Sequence, residues 1–141
     1  VTVEDFHGSY EVIVFSSCYQ KRRKKLQQDK IVVIAGKVSV KERSDNKVIA
    51  DEIYMIDEAL SVLPREVHLT LRPEIFGERE LADLKSLTMR FPGDREIVFH
   101  WRENGRKKYV VHTRSAKVSF GFELFRELKQ ISGVENVEIS F

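Results

Sequence analysis

The sequence predicts a two-domain α+β fold that is largely all-β in its first part: an incomplete five-stranded Greek-key barrel at residues 1–60, then a small β-α-β-β-α-β domain at residues 61–141. Three observations lead to this prediction. Short β-branched segments alternate with turn signals, a basic helix-forming segment separates the second strand from the third, and the pattern changes character near Pro64. The chain has 141 residues, enough for one domain or two small ones.

The chain opens with a hairpin. Residues Thr2 to Asp5 are predicted to form a strand, Gly8-Ser9 the turn, and the alternation in YEVIVF the returning strand. A helix with a thin apolar seam is expected over residues 17–28. Because the apolar strand pattern is present from residue 1 onward, we expect the sequence to be a fragment. Its first strand would then correspond to the second strand of a complete barrel, cut at its beginning.

The second half of the barrel follows the helix. IVVIAGKVSVKE predicts a long strand that bends at Gly36, RSDN predicts a turn, and KVIADEIYMI predicts another strand. The order strand, strand, helix, strand, strand is typical of an oligonucleotide-binding (OB) barrel that lacks its first strand.

The second domain begins after Pro64 with the strand EVHLTLR. The segment ERELADLKSLTMRF predicts a helix that PGD ends, and FELFRELKQI predicts a second helix that ends at Gly133. Two strands flank the hairpin signal Asn104-Gly105, and NVEIS forms the last strand. This order predicts a split β-α-β unit. The side chains expected to face its core are Leu81, Leu84, Leu87, Phe91, Phe99, Trp101, Phe122, Phe125 and Leu128.

Composition excludes several classes of protein. The formal net charge of +2 gives no global field that would attract nucleic acid, so any basic patch is local. A single cysteine, Cys18, excludes an intrachain disulfide and favours a reducing, cytoplasmic location. No apolar segment has the length of a membrane span, and no signal peptide is visible.

Catalytic and metal-binding patterns are not found in the sequence. The four histidines are scattered without metal-ligand spacing, and no nucleophile with a base partner or phosphate-binding glycine loop is visible. Strand alternation explains the four carboxylates of DEIYMIDE. We therefore expect no enzyme activity, cofactor or metal in this part of the protein.

A nucleic-acid-binding surface is the functional site that the sequence favours. OB barrels bind single strands by stacking bases on aromatic rings and by placing cations along the phosphates. Of the aromatic candidates, Tyr10 is expected on the surface beside His7, and Phe15 in the core. The segment QKRRKK contains five basic residues in succession. On a helix, two or three of these side chains can face one groove. The predicted nucleic-acid-binding residues are His7, Tyr10, Lys21, Arg22, Lys41, Arg43 and Lys47.

Two stretches resemble a known family. VTVEDFHGSYEVIVFSSCYQ, followed by DKIVVIAGKVSVKE and KVIADEI, resembles the OB domain near the C-terminus of bacterial DNA polymerase III alpha subunits. LADLKSLTMRFPGDREIVFHWRENGRKKYVVHTR resembles the domain that follows it in that family. The resemblance covers nearly the whole chain.

The resemblance implies a non-catalytic tail of a replicative DNA-directed DNA polymerase, a nucleotidyltransferase whose active site lies upstream. It implies that the barrel contacts single-stranded template DNA and that the last domain binds the tau subunit of the clamp loader, among other holoenzyme subunits, with no membrane contact. The alternative is an RNA- or tRNA-binding module of a synthetase-like protein, because the first stretch alone also resembles anticodon-binding barrels.

Overall fold

The computed structural model describes residues 1–41 and 44–141, and the side chains of all of these except residues 41, 44, 45, 107 and 108. The chain forms two compact units, Val1–Ala59 (unit 1) and Leu60–Phe141 (unit 2). Each unit is built on a four-stranded sheet, and four helices accompany the two sheets over the described residues. The fold is therefore α+β with a majority of strand.

Unit 1 contains one four-stranded mixed sheet and the helix α1. Its elements are β1 (Thr2–Asp5), β2 (Gly8–Ile13), α1 (Ser16–Arg22), β3 (Val32–Lys41) and β4 (Ser44–Met55). The strand order is β1-β2-β4-β3, with β2 and β4 parallel and the other two pairs antiparallel. The chain thus brings β2 next to β4 although α1 and β3 separate them in sequence. Among the described residues, β1 and β3 are the edge strands of this sheet.

The first hairpin turns two residues earlier than predicted. Asp5 pairs with Gly8, so Phe6 and His7 form the tip of the hairpin, and Gly8-Ser9 belongs to β2. The Oδ1 atom of Asp5 accepts hydrogen bonds from the backbone N–H groups of His7 (2.7 Å) and Gly8 (3.0 Å). An aspartate that bonds to the backbone in this way fixes a turn by itself, and the prediction was wrong because it relied on glycine alone.

Helix α1 is shorter than the predicted 17–28. It ends at Arg22, and tight turns follow in which Lys25 N–H donates to the Arg22 carbonyl (2.8 Å). This early end lets Cys18 and Leu26 pack against the small core formed by the buried side chains Val12, Ala50 and Ile53.

Strands β3 and β4 are paired along their length, with two shifts of register in the described residues. The pairing register shifts between Ala35 and Gly36, as the glycine in the strand predicted. The predicted turn RSDN is shorter in the structure, because Ser44 already belongs to β4 and pairs with Lys41.

A short helix, α2 (Ile56–Val62), follows β4, where the sequence predicted only a domain boundary near Pro64. Asp57 and Glu58 lie in its first turn, where the helix dipole favours negative charge, and Ala59 is buried. Its length of 7 residues is too short for a periodic pattern to be recognised in the sequence.

Unit 2 contains β5 (Glu66–Leu71), α3 (Glu78–Arg90), β6 (Pro92–Glu103), β7 (Arg106–Val118), α4 (Phe122–Gln130) and β8 (Val134–Ser140). The strand order is β7-β6-β5-β8, and β5 is parallel to β6 but antiparallel to β8. Because β5 and β6 are direct neighbours, the β-α-β unit is not split, and that expectation was wrong. Strand β7 pairs with the outer side of β6 instead of entering between β5 and β6, and β8 pairs with the outer side of β5.

The core of unit 2 includes side chains from both helices. On α3, Leu84 and Leu87 are buried, whereas Leu81 is 52% exposed, which contradicts its predicted core position. On α4 the buried residues are Leu124 and Leu128, four residues apart.

The side of α4 that faces the core differs from the predicted one. Phe122 is the first residue of this helix and is half-exposed, and Phe125 is partly buried and packs edge-on against Phe120 with ring centroids 6.3 Å apart. The prediction was wrong for Phe122 because it favoured the larger aromatic side chains over Leu124.

The β6–β7 hairpin bears out the expected Asn104-Gly105 turn, where both residues have positive φ angles of 50° and 75°. Phe99 and Trp101 belong to the core as predicted, and Trp101 packs edge-on against Phe76 with ring centroids 5.9 Å apart. Helix α3 ends at Arg90, directly before the predicted stop at Pro92, and Pro92 already begins β6, where it pairs with Val118. No helix in the described ranges combines the length and the hydropathy needed to cross a membrane.

Candidate nucleic-acid interface

The tip of the β1–β2 hairpin presents two exposed rings. Phe6 is fully exposed, and the His7 side chain is 84% exposed, with its Nδ1 atom 3.7 Å from the Asp5 carboxylate. Hydrogen bonds from the His7 and Gly8 backbone lower the pKa of Asp5, so the group that holds the turn remains ionised at neutral pH. A fixed tip with an exposed ring can stack on an unpaired base.

Tyr10 lies on the core side of β2. It pairs with Val3 across the hairpin and is two residues from the buried Val12, so all three side chains share one face. Tyr10 nevertheless remains 40% exposed near the edge strand β1. The prediction of a surface position therefore holds for the exposure of Tyr10 and not for its face.

Phe15 is 58% exposed, and its predicted core position is wrong. Strand β2 ends at Ile13, so the alternation that assigned Phe15 to the core does not extend to it. Phe15 instead occupies the N-cap position of α1, without a capping hydrogen bond from its side chain.

The opposite face of the unit 1 sheet carries charged side chains. The Nζ atom of Lys47 on β4 lies 2.7 Å from Oε2 of Glu11 on β2. This hydrogen bond lowers the pKa of the Glu11 carboxyl. Ile49, two residues after Lys47, pairs with Lys37 of β3, so Lys37 and Lys47 share this face. Of the other two predicted cations, Lys41 ends β3 with its side chain outside the described residues, and Arg43 lies wholly outside them.

The basic segment, residues 21–25, divides into two groups. Arg22 donates from Nε (3.1 Å) and Nη2 (2.7 Å) to Oε2 of Glu52, which raises the pKa of Arg22. Lys25 donates to Glu58 and to the Ile53 carbonyl, and its ammonium lowers the pKa of Glu58. These two cations attach α1 and the following turn to β4 and α2.

The remaining cations of the basic segment are exposed and form no ion pair within the described part of the chain. They are Lys21, Arg23 and Lys24. Of the residues predicted from this segment, Lys21 is therefore available to an external anion, whereas Arg22 already has an internal carboxylate partner.

Unit 2 contains a cluster that the sequence did not predict. Glu66 on β5, Glu96 on β6 and His112 on β7 each offer one ligand atom, and these atoms lie within 4.8 Å of one another. The histidines show no metal-ligand spacing in the sequence, but the fold brings His112 close to two carboxylates. The three residues are far apart in sequence, and only the pairing of three neighbouring strands brings them together.

Comparison with known proteins supports the OB assignment of unit 1. Residues 1–56 match the tRNA_anti-codon family, described as an OB-fold nucleic acid binding domain.

Similarity to polymerase subunits extends over the whole chain. It is 26% identical over 142 residues to DNA polymerase III subunit alpha of Escherichia coli (strain K12), with 99% of this chain covered. The corresponding subunit of Pasteurella multocida (strain Pm70) is 25% identical over 149 residues, again with 99% coverage. That of Halalkalibacterium halodurans is 22% identical over 141 residues, also with 99% coverage. The chain spans 12% of the length of each of these relatives. The resemblance expected from the sequence is confirmed.

Proposed function

We propose that this chain is a non-catalytic segment of a replicative DNA polymerase, in which unit 1 binds single-stranded template DNA and unit 2 binds the tau subunit of the clamp loader. The observation that carries the proposal is the similarity to DNA polymerase III alpha subunits along the whole chain. The match of residues 1–56 to an OB-fold nucleic acid binding domain supports the role of unit 1.

Two kinds of contact would hold a single strand on unit 1. A base stacks on Phe6 and His7 at the hairpin tip, and phosphates lie along the face that carries Lys37 and Lys47. Lys47 shares its charge between Glu11 and a phosphate, which weakens its attraction for the phosphate. Binding of this kind is weak, shows little sequence preference and depends modestly on salt.

The stacking contact predicts a specific effect of Phe6→Ala. Loss of one base stack costs about 1–3 kcal/mol, so the affinity for a labelled oligothymidylate should fall roughly 5- to 150-fold. The slope of affinity against salt should not change, because no charge is removed. Fluorescence anisotropy across a salt series measures both quantities.

The matched control for Phe6→Ala is Phe122→Ala, which removes a half-exposed ring from unit 2 and should leave binding unchanged. Absence of binding by the unaltered chain at low salt, or a preference for duplex DNA, would contradict the proposal.

The phosphate contacts predict a different result when charge is removed, because the salt slope should then fall together with the affinity. The triple variant Lys41→Ala, Arg43→Ala and Lys47→Ala should lower affinity and reduce the salt slope by about 0.7 for each phosphate that the variant no longer neutralises. As a control, Arg106→Ala, Lys107→Ala and Lys108→Ala remove the same charge from the hairpin tip of unit 2. If both triple variants weaken binding equally, the attraction comes from overall charge and not from the predicted cations Lys41, Arg43 and Lys47.

The RNA-binding alternative has one observation in its favour, the tRNA_anti-codon name of the family that residues 1–56 match. The same anisotropy assay with unlabelled tRNA as competitor separates the two. Displacement of oligothymidylate by tRNA at a much lower concentration than by unlabelled oligothymidylate would favour the RNA-binding module.

The proposed tau contact has a candidate surface on β7. This edge strand exposes Tyr109, Val110 and Val111 beside Pro73 and Trp101, where they line an open apolar groove. Exposed apolar side chains on an edge strand are typical of protein-interaction surfaces.

A substitution on β7 tests the tau contact. Val110→Glu places a charge in the groove and should lower capture of purified tau by the immobilised chain at least about tenfold, since a buried unpaired charge is costly. Val40→Glu, at a valine of β3 in unit 1 that is 74% exposed, is the matched control and should retain capture. If Val40→Glu loses capture and Val110→Glu retains it, the tau contact lies on unit 1 and not on β7.

A further inference from the structure

We propose that Glu66, Glu96 and His112 of unit 2 form a binding site for a divalent transition-metal ion of the Zn²⁺ class. One ligand atom from each side chain lies within 4.8 Å of the other two. Carboxylate and imidazole ligands suit Zn²⁺ and its neighbours, and three protein ligands leave a fourth position for water. The site is independent of the DNA and tau contacts proposed above.

The ligand spacing is close to that of a coordinated ion. Metal–ligand bonds of about 2.0–2.2 Å place tetrahedral ligand atoms roughly 3.3–3.6 Å apart. The Nδ1 atom of His112 lies 3.8 Å from Oε1 of Glu66, so only small side-chain rotations are needed. His112 is exposed and can rotate without disturbing the core of unit 2.

The electrostatics of the sheet favour a bound cation. Glu66 and Glu96 are direct partners on the parallel strands β5 and β6, and like charges opposite each other destabilise a sheet. Lys117 is the nearby ammonium, with Nζ 3.7 Å from Oε1 of Glu96. It balances one of the two negative charges, and the remaining negative charge attracts a cation.

The backbone of β7 presents His112 to the two glutamates. Glu96 pairs with Lys117, but Val98 pairs with His112, so β7 bulges between these positions. The hydroxyl of Thr113 lies 2.8 Å from the Ile97 carbonyl and 3.0 Å from the Ala116 carbonyl, and its bond across the strands fixes the bulge.

Two further histidines, His68 and His100, orient the carboxylate of Glu66. Its Oε2 atom lies 3.5 Å from Nε2 of His68, while its Oε1 atom faces His112. The Nδ1 atom of His68 lies 2.9 Å from Nε2 of His100 and can accept a hydrogen bond from it, and the protonated Nε2 of His68 then faces the Glu66 carboxylate. Metal-binding carboxylates are usually held by outer partners of this kind.

Calorimetric titration of the metal-free whole chain with Zn²⁺ tests the site, in a Cys18→Ser background that removes the single thiol. We expect one equivalent of Zn²⁺ to bind, and we expect His112→Ala and Glu96→Gln each to weaken binding at least about tenfold. Bound Zn²⁺ should also raise the unfolding temperature reported by Trp101 fluorescence, and should not do so in His112→Ala.

The matched control is His7→Ala, which removes an exposed imidazole that lies beside a single carboxylate, 3.7 Å from Asp5. It should leave Zn²⁺ affinity unchanged. No binding up to about 0.1 mM Zn²⁺, or equal weakening by His7→Ala and His112→Ala, would overturn the proposal.

Discussion

Replacing Leu128 by alanine is expected to lower the free energy of unfolding of unit 2 by about 2–5 kcal/mol. Leu128 is fully buried on α4 and belongs to the main hydrophobic cluster of this unit. The truncation removes apolar packing and leaves a cavity that the sheet beneath cannot fill. Trp101, the single tryptophan of the chain, packs against the same cluster, so its fluorescence during urea unfolding reports the destabilisation.

Leu81→Ala is the matched control for this prediction. It makes the same chemical change on α3 at a side chain that is 52% exposed, where the expected change is within about 0.5 kcal/mol of zero. Equal shifts of the Trp101 transition in the two variants would contradict the assigned core of unit 2.

Replacing Gly133 by alanine should also lower the free energy of unfolding of unit 2 strongly. Gly133 lies in the turn between α4 and β8, where the Val134 N–H donates to the Ile131 carbonyl (3.1 Å). It has a φ angle of +80°, where an alanine costs about 1–2 kcal/mol. An added Cβ would also lie 2.8 Å from the backbone nitrogen of Phe76, and relief of that close approach costs about 1–3 kcal/mol more. Because Phe76 packs edge-on against Trp101, fluorescence again reports the change.

Gly105→Ala separates the two contributions. Gly105 has a φ angle of +75°, but an added Cβ there meets no atom within 4 Å. We expect this variant to show only the destabilisation that comes from backbone strain. If Gly133→Ala and Gly105→Ala lower the free energy of unfolding equally, the close approach of Gly133 to Phe76 does not contribute to the destabilisation.

Much of the fold follows from local signals. Alternating β-branched residues located the strands, and Gly36, Asn104-Gly105 and Gly133 marked a bulge, a hairpin turn and the turn after α4, because each reflects a backbone requirement of the residue itself. Where tertiary packing decides, the prediction failed. The inward face of α4 is centred on Leu124 and not on Phe122, and the pairing of β5 with β6 depends on the whole sheet.

The candidate site was less predictable than the fold. The sequence identified Lys21, Arg22 and Lys47 as cations, but it contains no signal that Glu52 and Glu11 already neutralise Arg22 and Lys47. The face of Tyr10 depends on where β2 lies against β1. The Glu66–Glu96–His112 cluster arises only when three strands pair, so no spacing rule could have found it.

The central position of β5 has a consequence for the time course of folding. Its apolar residues Val67, Leu69 and Leu71 contact β6 on one side and β8 on the other, and the partners in β8 are about 70 residues later in the chain. Closing so long a loop is slow compared with forming the β6–β7 hairpin. During this interval β5 offers an open, strongly apolar edge to other chains. Refolding at high protein concentration should therefore aggregate before β8 pairs, whereas dilute refolding should succeed.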